Sequence, residues 1–175
     1  GYAGKIYGGD LSVGDEIAVL PSQTKSKIKS INFFNKEFKT AKRGSSVTVT
    51  LEDNVNVSRG DMLVKQNEEP RIAKELNATL CWMDKEPLQV SQKYYIKHGI
   101  NDAQAKITKL SSIISTDFSG IEENPSELVL NQIGDIQLKL SKPLLVDSYS
   151  DNKSNGSFIL INPKTNNTVG VGFIK

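Results

Sequence analysis

The residues that could do chemistry in this chain are few and scattered. Histidine and cysteine occur once each, as His98 and Cys81. A zinc centre needs several Cys, His or carboxylate ligands at suitable spacing, and one of each supplies too little. A Cys–His nucleophile pair would need the two within hydrogen-bond reach. Cys81 instead sits beside Trp82 in an apolar run, which predicts a buried, inert thiol. His98-Gly99 ends another run and reads as an exposed turn.

Phosphate chemistry is equally thin. The sequence contains no Gly-x-x-x-x-Gly-Lys-Ser/Thr loop, the segment whose backbone amides cradle nucleotide phosphates. Asp117-Phe-Ser-Gly120 matches the Asp-x-x-Gly pattern that GTPases place near magnesium, but without that loop it reads as a chance match. Asn35-Lys36-Glu37-Phe38 opens like a guanine-reading Asn-Lys-x-Asp motif, lacks the aspartate, and reads as a turn or exposed loop. Arg59-Gly60-Asp61 spells an adhesion tripeptide and reads as a turn. Asn131, Asp147, Tyr149, Asn152 and Asn166 read as turn and strand-edge residues that bond nearby backbone. No catalytic, cofactor-binding or metal-ligating residue is assigned.

Lys25, Lys27 and Lys29 form a one-sided basic stripe. Such stripes can meet nucleic-acid phosphates, but no aromatic residues interleave for base stacking, so a solvated strand face is expected. Charge agrees: residues 1–70 hold 10 Lys and Arg against 9 Asp and Glu, and residues 71–175 hold 12 against 11. Nucleic-acid binding is not expected from so even a balance. The single cysteine rules out an internal disulfide framework and suits a reducing cytosol. No apolar run approaches the roughly 18 residues that span a bilayer. Five Asn-x-Ser/Thr sites, beginning at Asn56, Asn77, Asn152, Asn155 and Asn166, are then incidental.

The elements that must position these residues are strands. Apolar–polar alternation with period two marks half-buried strands, and it predicts them over 15–20, 25–30, 47–51, 62–65, 78–83, 92–97, 103–110, 127–130, 136–140, 157–162 and 168–174. Ile17 and Val19 are assigned to one face of the first, with Glu16, Ala18 and Leu20 on the other. Val13-Gly-Asp15, Arg59-Gly-Asp61 and Ile133-Gly-Asp135 each read as a turn that launches a strand. Residues 115–127 read as a loop. No long amphipathic helix is evident. The polar stretch from Asn67 to Ala73, containing Pro70, marks a boundary between two small domains, 1–70 and 71–175. The predicted class is all-β: two tandem antiparallel β-barrels. Gly4 falls so early that the first barrel is expected to lack an initial strand.

Taken in order, several short strings resemble one family. In residues 1–70 they are Gly1-Tyr-Ala-Gly4, Val13-Gly-Asp15, Val19-Leu-Pro-Ser22, Lys29-Ser-Ile31, Leu51-Glu-Asp53 and Val57-Ser-Arg-Gly-Asp-Met-Leu-Val64. In the remainder they are Trp82-Met83, Pro87-Leu88, Leu130-Asn-x-Ile-Gly134, Pro143-Leu144, Asp147-x-Tyr149, Gly156-x-Phe-Ile-Leu-Ile-Asn162 and Thr168-Val-Gly-x-Gly172. Together they resemble the second and third, β-barrel domains of the GTPase subunit of sulfate adenylyltransferase, a relative of the translation elongation factors. Gln23 and Asn162 depart from residues common in that family.

The resemblance implies a parent enzyme. A nucleotide-binding domain carrying GTP and magnesium would precede Gly1. A separate catalytic ATP-sulfurylase subunit would join sulfate to ATP, giving adenosine 5′-phosphosulfate and pyrophosphate, with GTP hydrolysis driving the step. The subunits would form a cytoplasmic heterodimer, with no membrane partner. These residues would serve docking and coupling. One alternative is a translation-factor-like module that binds aminoacyl-tRNA, and a second is a non-enzymatic scaffold.

Overall fold

A computed structural model describes residues 1–66, 68, 70–115 and 120–175. Asn67 and Glu69 of the expected boundary, and residues 116–119 with Asp117 of the Asp-x-x-Gly match, lie outside the described residues. The chain divides into two compact units, Gly1–Glu69 and Pro70–Lys175. Each has its own apolar core. Every regular element among the described residues is a strand, and every pairing is antiparallel. No helix there is long and apolar enough to cross a membrane.

The first unit contains β1 (Tyr2–Lys5), β2 (Leu11–Ser12), β3 (Glu16–Leu20), β4 (Thr24–Phe33), β5 (Lys36–Phe38), β6 (Thr40–Ala41), β7 (Ser46–Leu51) and β8 (Met62–Lys65). The pairing order is β1-β7-β4-β3-β8, with β5 added to β4 and a separate β2–β6 pair. β4 turns the corner. Its first half pairs with β3 and its second with β7, across a register shift between Ile28 and Ser30. A bulge bends its strand and changes which side chains face inward. Before it Ser26 and Ile28 point in; after it Ile31 does, and Ser30 is only half-buried. β7 follows the alternation rule, burying Val47, Val49 and Leu51. β3 does not. Ile17 and Val19 join the core, but Ala18 and Leu20 are buried as well, so both faces are covered. Tyr2–Lys5, near the expected missing strand, itself pairs with β7.

The second unit contains β9 (Arg71–Trp82), β10 (Lys93–His98), β11 (Asn101–Ile114), β12 (Ile121–Glu123), β13 (Ile133–Val146), β14 (Ser157–Ile161) and β15 (Thr168–Ile174). The order β10-β14-β15-β9-β13-β11 closes on itself through the β10–β11 pairing, giving a six-stranded barrel. Closure removes the unpaired edges that invite aggregation. β12, within the expected 115–127 loop, extends β11, and residues 127–130 contribute only an isolated Leu88–Leu128 bridge. Alternate residues of β9 (Ala78, Leu80 and Trp82) fill the barrel. Trp82 is fully buried, donates its indole N–H to the Glu86 carbonyl at 2.8 Å and meets Tyr94 edge-to-face at 5.7 Å. Burying an indole with its N–H satisfied keeps its large apolar gain without an orphaned donor.

Candidate functional site

Two of the three Gly-Asp strings share one turn geometry. Asp15 Oδ2 accepts the Ser12 N–H at 2.8 Å, and Asp61 Oδ2 accepts the Ser58 N–H at 2.8 Å. Between them Gly14 and Gly60 sit at φ 88° and 102°, where a Cβ is strained. The Arg59-Gly60-Asp61 string is thus a strand-launching turn. The third string differs. Gly134 already lies inside β13, and the equivalent turn comes three residues earlier: the Val129 N–H bonds Gln132 Oε1 at 2.8 Å, with Asn131 at φ 67°. Asp135 projects outward and gathers Lys175 Nζ at 2.7 Å, Thr79 Oγ1 at 2.8 Å and Ser112 Oγ at 3.4 Å. Partial burial alone would raise its pKa; the bonds and charge of Lys175 and Thr79 outweigh that and hold it below the ordinary value. At Asp15 burial likewise acts to raise the pKa, and the Lys65 ammonium and the Ser12 N–H outweigh it, so this pKa is also lowered.

His98 is not an exposed turn residue. It is buried at the end of β10, with Nε2 2.8 Å from the Asn155 carbonyl oxygen. Asn155 is buried too, and its amide donates to Asp147 Oδ2 at 3.0 Å, which also accepts from Asn152 at 2.9 Å. These residues tie the loop after β13 to the barrel. The side chains of Asp147, Asn152 and Asn155 thus act across the loop, while Tyr149 packs its ring on Phe173 at 4.7 Å. Asn166, at φ 58°, closes the β14–β15 turn by donating its N–H to the Asn162 carbonyl. Cys81 is half-buried and alternates with inward Leu80 and Trp82, so it faces out of the barrel rather than into its core.

On the first unit, Lys25, Lys27 and Lys29 are exposed, and Lys27 pairs with Glu16 at 3.3 Å. An open groove of about 590 Å³ lies nearby, lined by Pro21, Ser22, Lys25, Asp53, Asn56 and Asp61 among others. Asp53 there is engaged by the Ser26 hydroxyl at 2.8 Å. No nucleophile–base pair converges on it, so it offers a polar surface rather than a reaction centre. Among the described residues no three His, Cys, Asp or Glu side chains are grouped to hold a metal ion.

Of Asn35-Lys36-Glu37-Phe38, expected as a turn or exposed loop, only Asn35 lies in the turn, with Phe34; Lys36–Phe38 is strand β5, paired back on β4 as a hairpin, and sequence reasoning missed what surrounds it. Phe33, Phe34 and Phe38 are all exposed, Phe34 at 88%. Phe33 packs edge-on against Phe34 at 4.7 Å and Phe38 at 6.5 Å. The signal was present as two adjacent phenylalanines followed by Asn35, the second of them a turn residue.

Comparison with known proteins gives the chain its relatives. Sulfate adenylyltransferase subunit 1 of Psychromonas ingrahamii is 38% identical over 99% of this chain and 37% of its own length. The same subunit of Shewanella woodyi is 39% identical over 100% of this chain and 37% of its own length. The chain therefore spans little more than a third of these relatives. A solved structure of Sup35 complexed with GMPPNP shares the fold, with a TM-score of 0.85 at 15% identity over 98% of this chain and 42% of that one. Residues 75–175 match the family described as GTP-eEF1A C-terminal domain-like. The chain belongs to that family.

Proposed function

We propose that these residues are the C-terminal barrel region of the GTP-hydrolysing subunit of a sulfate adenylyltransferase. The observation that carries this reading is the identity of 38% along the whole chain with subunit 1 of that enzyme. The likeness to Sup35, at 15% identity, is one of fold alone, and the family match over residues 75–175 does not favour an aminoacyl-tRNA module over this reading. In the parent enzyme a nucleotide-binding segment N-terminal to these residues holds GTP and magnesium. A second, ATP-sulfurylase subunit joins sulfate to the α-phosphate of ATP and releases pyrophosphate. The whole operates in the cytoplasm as a heterodimer.

The barrels contribute docking and coupling. A rigid body can transmit the nucleotide state only if its contacts differ in free energy between the GTP and GDP forms. A closed barrel with a dense core suits that task, because it moves as one piece rather than deforming. The test is reconstitution. The natural polypeptide containing these residues, mixed with its partner subunit, should release pyrophosphate from ATP and sulfate faster with GTP than without. The matching control is residues 1–175 alone, which should show no saturable GTP binding at micromolar concentration. GTP-independent pyrophosphate release would refute the coupling role, and tight GTP binding by residues 1–175 would refute the division of labour.

A further inference from the structure

We propose that the β4–β5 hairpin is the docking tip for the partner subunit, inserting its phenylalanines into an apolar cleft rimmed by carboxylates. The proposal rests on the function proposed above and adds the surface and its chemistry. Half of the chain's six phenylalanines lie at this one tip, and the first unit's core uses none of the three. Large apolar side chains gathered in the open mark a binding surface more often than chance. Phe34 is the extreme case. It is 88% exposed and holds φ 51°, a conformation that costs an aromatic residue free energy and that asparagine or glycine would adopt more readily. Val13, also exposed, adjoins the base of the tip through its N–H bond to the Lys39 carbonyl.

Charge selects the occupant. From Asn35 to Arg43 the chain carries Lys36, Lys39, Lys42 and Arg43 against Glu37 alone. Lys36 stands opposite Phe33 and shares a face with it, whereas Glu37 pairs with Asn32 on the reverse face. Among the described residues Lys36 and Lys39 enter no ion pair. An apolar cleft with Asp and Glu at its rim complements this tip, giving an aromatic anchor and a charged surround.

A single-stranded nucleic acid fits less well. Phe33 meets both of its neighbouring rings edge-on, at 74° and 75°, so it forms no parallel stack with either that a base could extend. Lys27, which would track a backbone, lies on the opposite face of β4 and is already paired with Glu16.

The experiment measures affinity between the natural full-length subunit and its purified partner subunit by calorimetry at two salt concentrations. Phe34→Ser should weaken binding by about tenfold or more, as loss of a central aromatic anchor does. The double change Lys36→Glu and Lys39→Glu should weaken it further at low salt than at high salt. Unchanged thermal unfolding of Phe34→Ser shows that the fold survives. If the wild-type pair binds and neither variant alters the affinity, the hairpin is not the docking tip, although the proposed function stands. If the wild-type pair does not bind at all, the proposed function fails and this inference with it. RNA retained by the wild type and released by Phe34→Ser, with partner affinity unmoved, would assign the tip to nucleic acid and overturn the proposal.

Discussion

Gly172 offers a sharp test of how tightly the closed barrel is packed. It lies in β15 between Phe158 of β14 and Leu80 of β9, facing the core. A Cβ at this position would fall 2.1, 2.4 and 2.6 Å from three ring atoms of Phe158. Carbon atoms pack comfortably at roughly 3.5–4.0 Å, so the ring would have to move by well over an ångström. Phe158 is 3% exposed and has little room to do so. Overpacking of this kind costs about 1–3 kcal/mol. The lost chain entropy of glycine in the unfolded state offsets about 0.4–1 kcal/mol of it. Gly172→Ala should therefore destabilise the second unit by about 1–2 kcal/mol. Trp82, the chain's one tryptophan, is buried in that unit's core, so its fluorescence reports on that unit's unfolding. With a urea dependence of about 1–3 kcal/mol per molar, the midpoint should fall by roughly 0.3–2 M. Phe158→Leu makes room, so the double variant should be more stable than the sum of the single changes implies. A midpoint that stays put or rises in Gly172→Ala, or strict additivity in the cycle, would refute this account of the packing.

Three further outcomes are expected. Asp135 is held below its ordinary pKa in the folded chain, so its contribution to stability is complete above the unfolded carboxyl pKa and is lost as pH falls through the folded one. Urea midpoints followed from pH 6 downward should therefore drop less in Asp135→Asn than in the parent. His98→Ala should cost the second unit about 1–3 kcal/mol, since it empties a buried site and leaves the Asn155 carbonyl only the longer bond from the Asp147 N–H at 3.3 Å; fluorescence-detected melting checks this. Asp61→Ala removes the acceptor of the Ser58 N–H at an exposed turn and should cost about 0.5–1.5 kcal/mol in the first unit, read by circular dichroism.

Strands with one wet and one dry face were legible in the sequence. Val47 to Leu51 and Thr168 to Ile174 announce themselves by alternation, and the absence of helical periodicity pointed to an all-β chain. Very short elements were not. Leu11–Ser12, Lys36–Phe38 and Ile121–Glu123 are too brief to carry a period, and partners elsewhere in the chain define them. β3 misled because alternation cannot reveal a second covered face. The Ile133-Gly-Asp135 string misled because the turn device is a side-chain acceptor three residues after an N–H, and here Gln132 fills that role. The His98–Asn155 bond joins residues 57 positions apart, which no local pattern encodes. At the β4–β5 hairpin the two adjacent phenylalanines were visible, but their exposure depends on the tertiary packing around the hairpin, which no local pattern encodes.

If these barrels belong to a GTP-driven sulfate-activating enzyme, their effect must appear in its chemistry. The most direct measurement is pyrophosphate release from ATP and sulfate by the natural polypeptide with its partner subunit, with and without GTP. GTP should accelerate the release, and deleting residues 1–175 should abolish it. Release indifferent to GTP, or to the deletion, would contradict the assignment.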